Sequence, residues 1–102
     1  MARPIQHPSA DDISLDGVLH ALADPVRRSI VAKLLAQGEM NCTETCGDMA
    51  PSTISHHHRI LRESGLIRSQ KRGVAVVNSV RAAELEARFP GLLTAILQQH
   101  HI

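Results

Sequence analysis

Apolar residues recur along this chain at two different periods, and the change of period divides it. Leu15, Val18, Leu19 and Leu22 stand at i, i+3, i+4 and i+7, on one face of a helix. A second helical pattern runs through Val26, Ile30, Val31, Leu34 and Leu35, with Arg27, Arg28 and Lys33 off its apolar face. Asp24 precedes it, where a carboxylate can accept backbone N–H bonds, and Pro25 takes the first helical position, where its missing donor costs nothing. Gly38 is a natural stop. Residues 41–49 read as one short helix holding Cys42 and Cys46, with a turn from Gly47 to Pro51. Residues 52–64 then read as a helix ending at Gly65, with Ile54, His58 and Leu61 on one stripe and Thr53, His56 and Arg59 away from it.

The period shortens after Gly65. Residues 66–70 and 74–80 are strand candidates joined through Lys71-Arg72-Gly73, a hairpin length with Gly available for positive φ. Residues 81–88 return to a helical pattern, Phe89-Pro90 breaks it, and Leu92, Leu93, Ile96 and Leu97 form a closing apolar stripe. At the other end, residues 1–13 carry Pro4, Pro8, Ser9, Asp11 and Asp12 and read as a mobile arm, which leaves 14–102 as the folded domain. The expected fold is mainly α with a two-stranded β-hairpin wing (α+β). A short helix-turn-helix followed by a basic hairpin is the plan of a winged helix-turn-helix.

Composition narrows the function classes. The chain has 102 residues, one domain's worth, with an ordinary 43% apolar and 21% charged content. It holds one Phe and no Tyr or Trp, too few rings to bind single strands by stacking. A β-sandwich, which favours aromatic strands, is disfavoured for the same reason. No apolar run is long enough to span a membrane, and the first residues lack the apolar core of a signal peptide, so the default location is the cytoplasm. Two cysteines are too few for a disulfide scaffold. No Gly-rich phosphate loop and no Cys–His–carboxylate arrangement is visible, so an enzyme is not expected.

Charge changes the picture most. The net charge is only +1, but residues 1–51 carry 4 basic and 7 acidic side chains, residues 52–81 carry 6 and 1, and residues 82–102 carry 1 and 2. The positive charge therefore falls on the fourth helical pattern and the hairpin, where phosphates of duplex DNA would lie. Ser52, Thr53, Ser55 and His56 are short polar residues at a helix N-terminus, the end a recognition helix points into the major groove. Short hydroxyls permit close backbone approach, and helix N–H groups favour phosphate. Arg59 and Arg62 follow on the helix, and Arg68, Gln70, Lys71 and Arg72 on the hairpin. These ten residues are the candidate DNA face. The alternative is a winged helix that meets an acidic protein partner and binds no DNA. Leu92, Leu93, Ile96 and Leu97, with Leu15 and Leu19, form an apolar patch large for so small a chain, which predicts a homodimer.

The segments Leu22-Ala23-Asp24-Pro25-Val26-Arg27-Arg28-Ser29-Ile30 and Ser52-Thr53-Ile54-Ser55-His56-His57-His58-Arg59-Ile60-Leu61-Arg62-Glu63-Ser64-Gly65-Leu66-Ile67 resemble the ArsR/SmtB-type winged-helix transcriptional regulators of prokaryotes. The resemblance covers roughly residues 15–98, and the second segment is the more specific. It implies a homodimeric repressor that binds a palindromic operator and leaves it when an effector binds. It also implies that the 52–64 helix reads DNA, that the hairpin touches the flanking groove or backbone, and that the terminal helices form the dimer interface. At His57 the resemblance implies the family's usual His, hydrogen-bonded near the turn.

His56, His57 and His58 point about 100° apart on a helix and cannot share one metal ion. His58 falls on the packing stripe, and His56 is the exposed candidate for DNA. Cys42 and Cys46, at i and i+4, would be neighbours on one helical face. Three readings stay open for them: a soft metal or metalloid site, a thiol redox switch, or small packing residues. The family's arsenic sensors carry Cys-x-Cys in this segment, and this spacing differs. His100 and His101 read as a solvated chain end.

Overall fold

The computed structural model describes residues 5–41 and 48–100. Five helices and three strands follow one another along it: α1 (Leu15–Leu22), α2 (Pro25–Gln37), β1 (Met40–Asn41), α3 (Pro51–Glu63), β2 (Ile67–Arg72), β3 (Ala75–Val80), α4 (Ala82–Arg88) and α5 (Leu92–Gln98). Each helix begins where local chemistry permits. The Ser14 hydroxyl accepts the Gly17 N–H at 3.0 Å at the head of α1. Asp24 Oδ1 accepts from the N–H groups of Val26 and Arg27 at 2.8 and 3.1 Å at the head of α2, as the sequence predicts. Burial works against the Asp24 anion, but those backbone donors and the nearby Arg27 charge outweigh it and hold the carboxyl below its usual pKa.

α3 starts one residue before the expected position, with Pro51 in its first turn and Ala50 as cap. It ends at Ser64, and Gly65 turns the chain at φ +86°. Only glycine fits there for a second reason, since a Cβ on Gly65 would overlap the Ile13 side chain.

β2 and β3 form an antiparallel hairpin in continuous register from Ile67↔Val80 to Arg72↔Ala75. Gly73 alone takes positive φ in the two-residue connection, the Gly-X form of hairpin turn. Val74, expected in the strand, is instead the wholly exposed tip. The sheet also has three strands rather than two. Met40 and Asn41 pair with Asn78 and Val77, giving the order β1-β3-β2. Asn78, fully buried at the centre, takes a hydrogen bond from the Ser69 hydroxyl across the hairpin.

The core lies between the helices and the inner face of this sheet. Val18, Ala21 and Leu22 of α1, Ile30, Val31 and Leu34 of α2, and Leu61 of α3 meet there with Leu66, Ile67 and Leu85. Two expectations on α2 are corrected. Leu35 turns outward at 43% exposure, whereas Arg27, expected off the apolar face, is buried at 7%. The apolar surface at positions 26, 30, 31 and 34 is what the core takes, and Leu35 is one residue beyond its edge.

The N-terminal segment also differs from expectation. Residues 5–13 lie along the sheet and α4 instead of extending away as an arm. His7 Nε2 accepts the backbone N–H of Ser69 at 2.9 Å. Arg81 donates to the Pro8 carbonyl at 2.8 Å, and Arg88 donates to the Ala10 carbonyl. A short 3-10 turn, Ala10–Asp12, then delivers Ile13 into the core at 1% exposure. Ile13 is the one buried residue of this segment and anchors it.

Candidate nucleic-acid interface

α3 has two faces with different chemistry. Ile54, His57, His58 and Leu61 are buried, while Ser52, Thr53, Ser55, His56 and Arg59 are exposed. The helix cap is Ala50, so the hydroxyls of Ser52, Thr53 and Ser55 are not needed for that role. Ser52, Ser55, His56, Arg59 and Arg62 together line a shallow concavity of about 320 Å³. Hydroxyls, an imidazole and two guanidinium groups around one hollow offer hydrogen-bond donors to phosphate oxygens and to base edges.

The inward face explains how α3 is held. His58, fully buried, lies 2.9 Å through Nδ1 from the Ile54 carbonyl one turn back. The His57 ring meets Arg27 of α2, with Nδ1 3.4 Å from Nη1, and stacks at a tilt on His56, the ring centres 5.5 Å apart. Burial lowers the His57 pKa; Asp24 opposes this, and Arg27, His56 and His58 add to it. The ring is therefore neutral at physiological pH.

Arg27 does more than face His57. Its Nε donates to the Ala21 carbonyl at 2.7 Å and Nη2 to the His20 carbonyl at 3.4 Å. Arg28 Nη1 donates to the Leu22 carbonyl at 2.7 Å. The consecutive arginines thus satisfy the last carbonyls of α1, where cations are also favoured by the helix dipole. Sequence reasoning missed this role. The available signal was two arginines placed directly after an Asp-Pro helix start that follows a short helix.

On the wing, Gln70, Lys71 and Arg72 are exposed and Arg68 is half-buried. The cations are not equivalent. Arg68 pairs with Glu84 at 3.1 Å, Arg72 with Glu39 at 2.8 Å, and Arg59 lies 4.0 Å from Glu63. Arg81, counted within the basic stretch, is buried against Glu84 through two bonds of 3.0 and 2.6 Å and is lost to the surface. Its hydrogen bonds hold the Glu84 carboxyl below the usual carboxylate range. Among the described residues, no carboxylate lies within ion-pair distance of Arg62 or Lys71. The available positive charge is therefore concentrated on the outer face of α3 and the end of the wing.

Leu15 and Leu19 are 45% and 44% exposed on α1, whereas Leu92, Leu93, Ile96 and Leu97 of α5 are half-buried against the core. Cys42 and Cys46 lie outside the described residues, so the short helix expected to hold them does too. Among the described residues, no three His, Cys, Asp or Glu side chains converge as a metal ion would require. No helix among the described residues is long and apolar enough to cross a membrane.

Residues 24–69 match the model of the bacterial regulatory proteins of the arsR family. The segment spans α2, α3 and the start of the wing. Among solved structures, the chain is similar to an ArsR family transcriptional regulator at 28% identity, with a TM-score of 0.67 over 86% of this chain and 98% of that one. It is similar to a possible transcriptional regulator for arsenical resistance at 28% identity, with a TM-score of 0.62 over 87% and 100% of the two chains. The fold is also that of the transcriptional repressor BigR from Xylella fastidiosa, at 23% identity and a TM-score of 0.65 over 86% and 87%. No curated protein matches the sequence.

Proposed function

We propose that the chain is an ArsR-type winged helix-turn-helix regulator of transcription that acts as a homodimeric repressor released from a palindromic operator by an effector. The observation that carries the reading is the division of α3. Its apolar and histidine face is locked to α2 and the core, while its hydroxyl, His56 and Arg59 face is left open beside Arg62 and Lys71, which have no carboxylate partner among the described residues.

In this reading Ser52, Thr53, Ser55 and His56 enter the major groove, with Arg59 following. Arg62, Arg68, Gln70, Lys71 and Arg72 meet the flanking backbone. Leu15 and Leu19 join Leu92, Leu93, Ile96 and Leu97 in the contact between protomers. A two-fold dimer places its reading helices at half-sites about 34–36 Å apart, or a multiple of that spacing. Repression is the mode that the similar BigR carries in its name.

Selection of duplexes from a random pool, followed by titration at several salt concentrations, tests the reading. The expected result is a palindromic site, two chains per duplex, and affinity that falls steeply with salt as bound cations are released. Failure to bind duplex DNA, or binding as one chain to a non-palindromic site, overturns it. For the effector, operator binding is compared with Cys42 and Cys46 reduced, oxidised, metal-loaded and replaced by Ser. Equal affinity in all four states excludes a cysteine switch.

A further inference from the structure

A cleft of about 420 Å³ opens between α2 and α5, lined by Arg28, Ala95, Ile96, Gln99 and His100. Its volume lies in the range of small-molecule sites, about 300–1,000 Å³. Arg28 forms the charged wall. Its Nε donates to His100 Nδ1 at 3.1 Å, and Nη1 is committed to the Leu22 carbonyl. An imidazole that accepts at Nδ1 carries its proton on Nε2, which lies 3.2 Å from the Ser29 hydroxyl. The bonds to Leu22 and His100 hold the guanidinium in one orientation across the cleft.

Two features of Arg28 are left over. Its Nη2 has no hydrogen-bond acceptor among the described residues, and no carboxylate among them pairs with its charge. Gln99 adds a polar side chain to the lining, and Ala95 and Ile96 add apolar ones. We propose that this cleft binds a small organic carboxylate. The carboxylate would take a charge-assisted bond from Arg28 Nη2 and a second bond from the Gln99 amide, with its hydrocarbon part on Ala95 and Ile96.

Ala95 and Gln99 lie on the exposed face of α5, and Ile96 borders both the cleft and the proposed contact between protomers. The site also touches a helix that matters for DNA. Arg28 is adjacent to Arg27, which braces His57 of α3.

The test is an NMR titration of the uniformly nitrogen-15-labelled full chain with sodium butyrate. Sodium phosphate and sodium chloride at matched ionic strength are the parallel arms. The expected result is saturable displacement of the Ala95 and Gln99 amide signals by butyrate alone. Affinity should fall about tenfold or more in R28Q, which removes the charge, and in A95F, which fills the cleft and leaves the Arg28 bonds in place. Equal saturable shifts with phosphate would make this an inorganic-anion site and overturn the proposal. So would absence of saturation in the wild-type chain, or undiminished butyrate affinity in A95F. Because Arg28 also closes the end of α1, A95F decides the matter where R28Q does not fold.

Discussion

The corner between α1 and α2 and the outer face of α3 use the same side chain for opposite purposes. At the corner, Arg27 is buried and its donors end on His20, Ala21 and His57. On α3 and the wing, Arg59, Arg62 and Lys71 keep their charge at the surface. In sequence the two groups look alike, as cations beside helical apolar residues. What separates them is what lies opposite. The end of a helix presents carbonyls that need donors, and a basic side chain buried there is a structural part. The α3 cations face solvent and leave donors for a ligand. The lesson is that a count of basic residues locates the DNA face only after structural arginines have been removed from it.

The sharpest way to break this comparison is to remove one arginine from each group. Arg27→Met should cost about 3 kcal/mol of unfolding free energy, because buried carbonyls and His57 lose a charged partner. Denaturant titration checks it, and any loss of DNA binding should follow the loss of fold. Gly65→Ala comes next, at about 2 kcal/mol, from positive φ and the collision with Ile13 together. Asp24→Ala should cost about 1 kcal/mol through loss of the cap. Arg62→Ala and Lys71→Ala should change stability by less than about 0.5 kcal/mol, yet each should lower the salt slope of DNA binding by about 1. Equal stability losses for Arg27→Met and Arg62→Ala would erase the distinction.

The smallest expected effect is pH dependence. Burial, then the positive charges of Arg68, Arg81 and Arg62, lower the His7 pKa, while Glu84 on α4 is held by Arg81 and Arg68. His57 is lowered too. A histidine whose pKa is depressed by folding stabilises the fold fully above its unfolded value of about 6.5, and that contribution is lost as pH falls through the folded value. Stability should therefore decline modestly between about pH 6.5 and 5. His7→Gln should remove part of the decline, with denaturant midpoints at pH 7.5 and 5.5 as the readout.

Much of this was legible in the sequence because it was local. Helical periods, the Asp24 cap, the Gly65 stop and the inward turn of His58 follow from residues within a few positions of one another. What could not be read depends on distant partners. β1 is two residues long and has no period of its own; Met40 and Asn41 become a strand only because β3 offers them an edge. The burial of Arg27 requires the end of α1 to be in place. The N-terminal segment looked mobile because its Pro and Asp content is that of a linker, and its fixed position rests on Ile13 and on Arg81 and Arg88, far along the chain. At the candidate site, exposure separates the outer hydroxyls from His58 as the helical stripe predicts, whereas the burial of His57 against Arg27 was not part of that stripe. The ion pairs of Arg68, Arg72 and Arg81 lay beyond local pattern.

The hydrogen bond from Ser69 to His7 bears on how the edge of the sheet meets other chains. β2 is one of the two outer strands of the sheet, and an outer strand with free amide groups is a template on which another chain can add a strand of its own. The imidazole of His7 occupies one of those amides, and the segment that carries it continues as far as Ile13. The N-terminal segment thus acts as a selvedge along part of one rim of the sheet, where it takes up an amide that another strand would otherwise use.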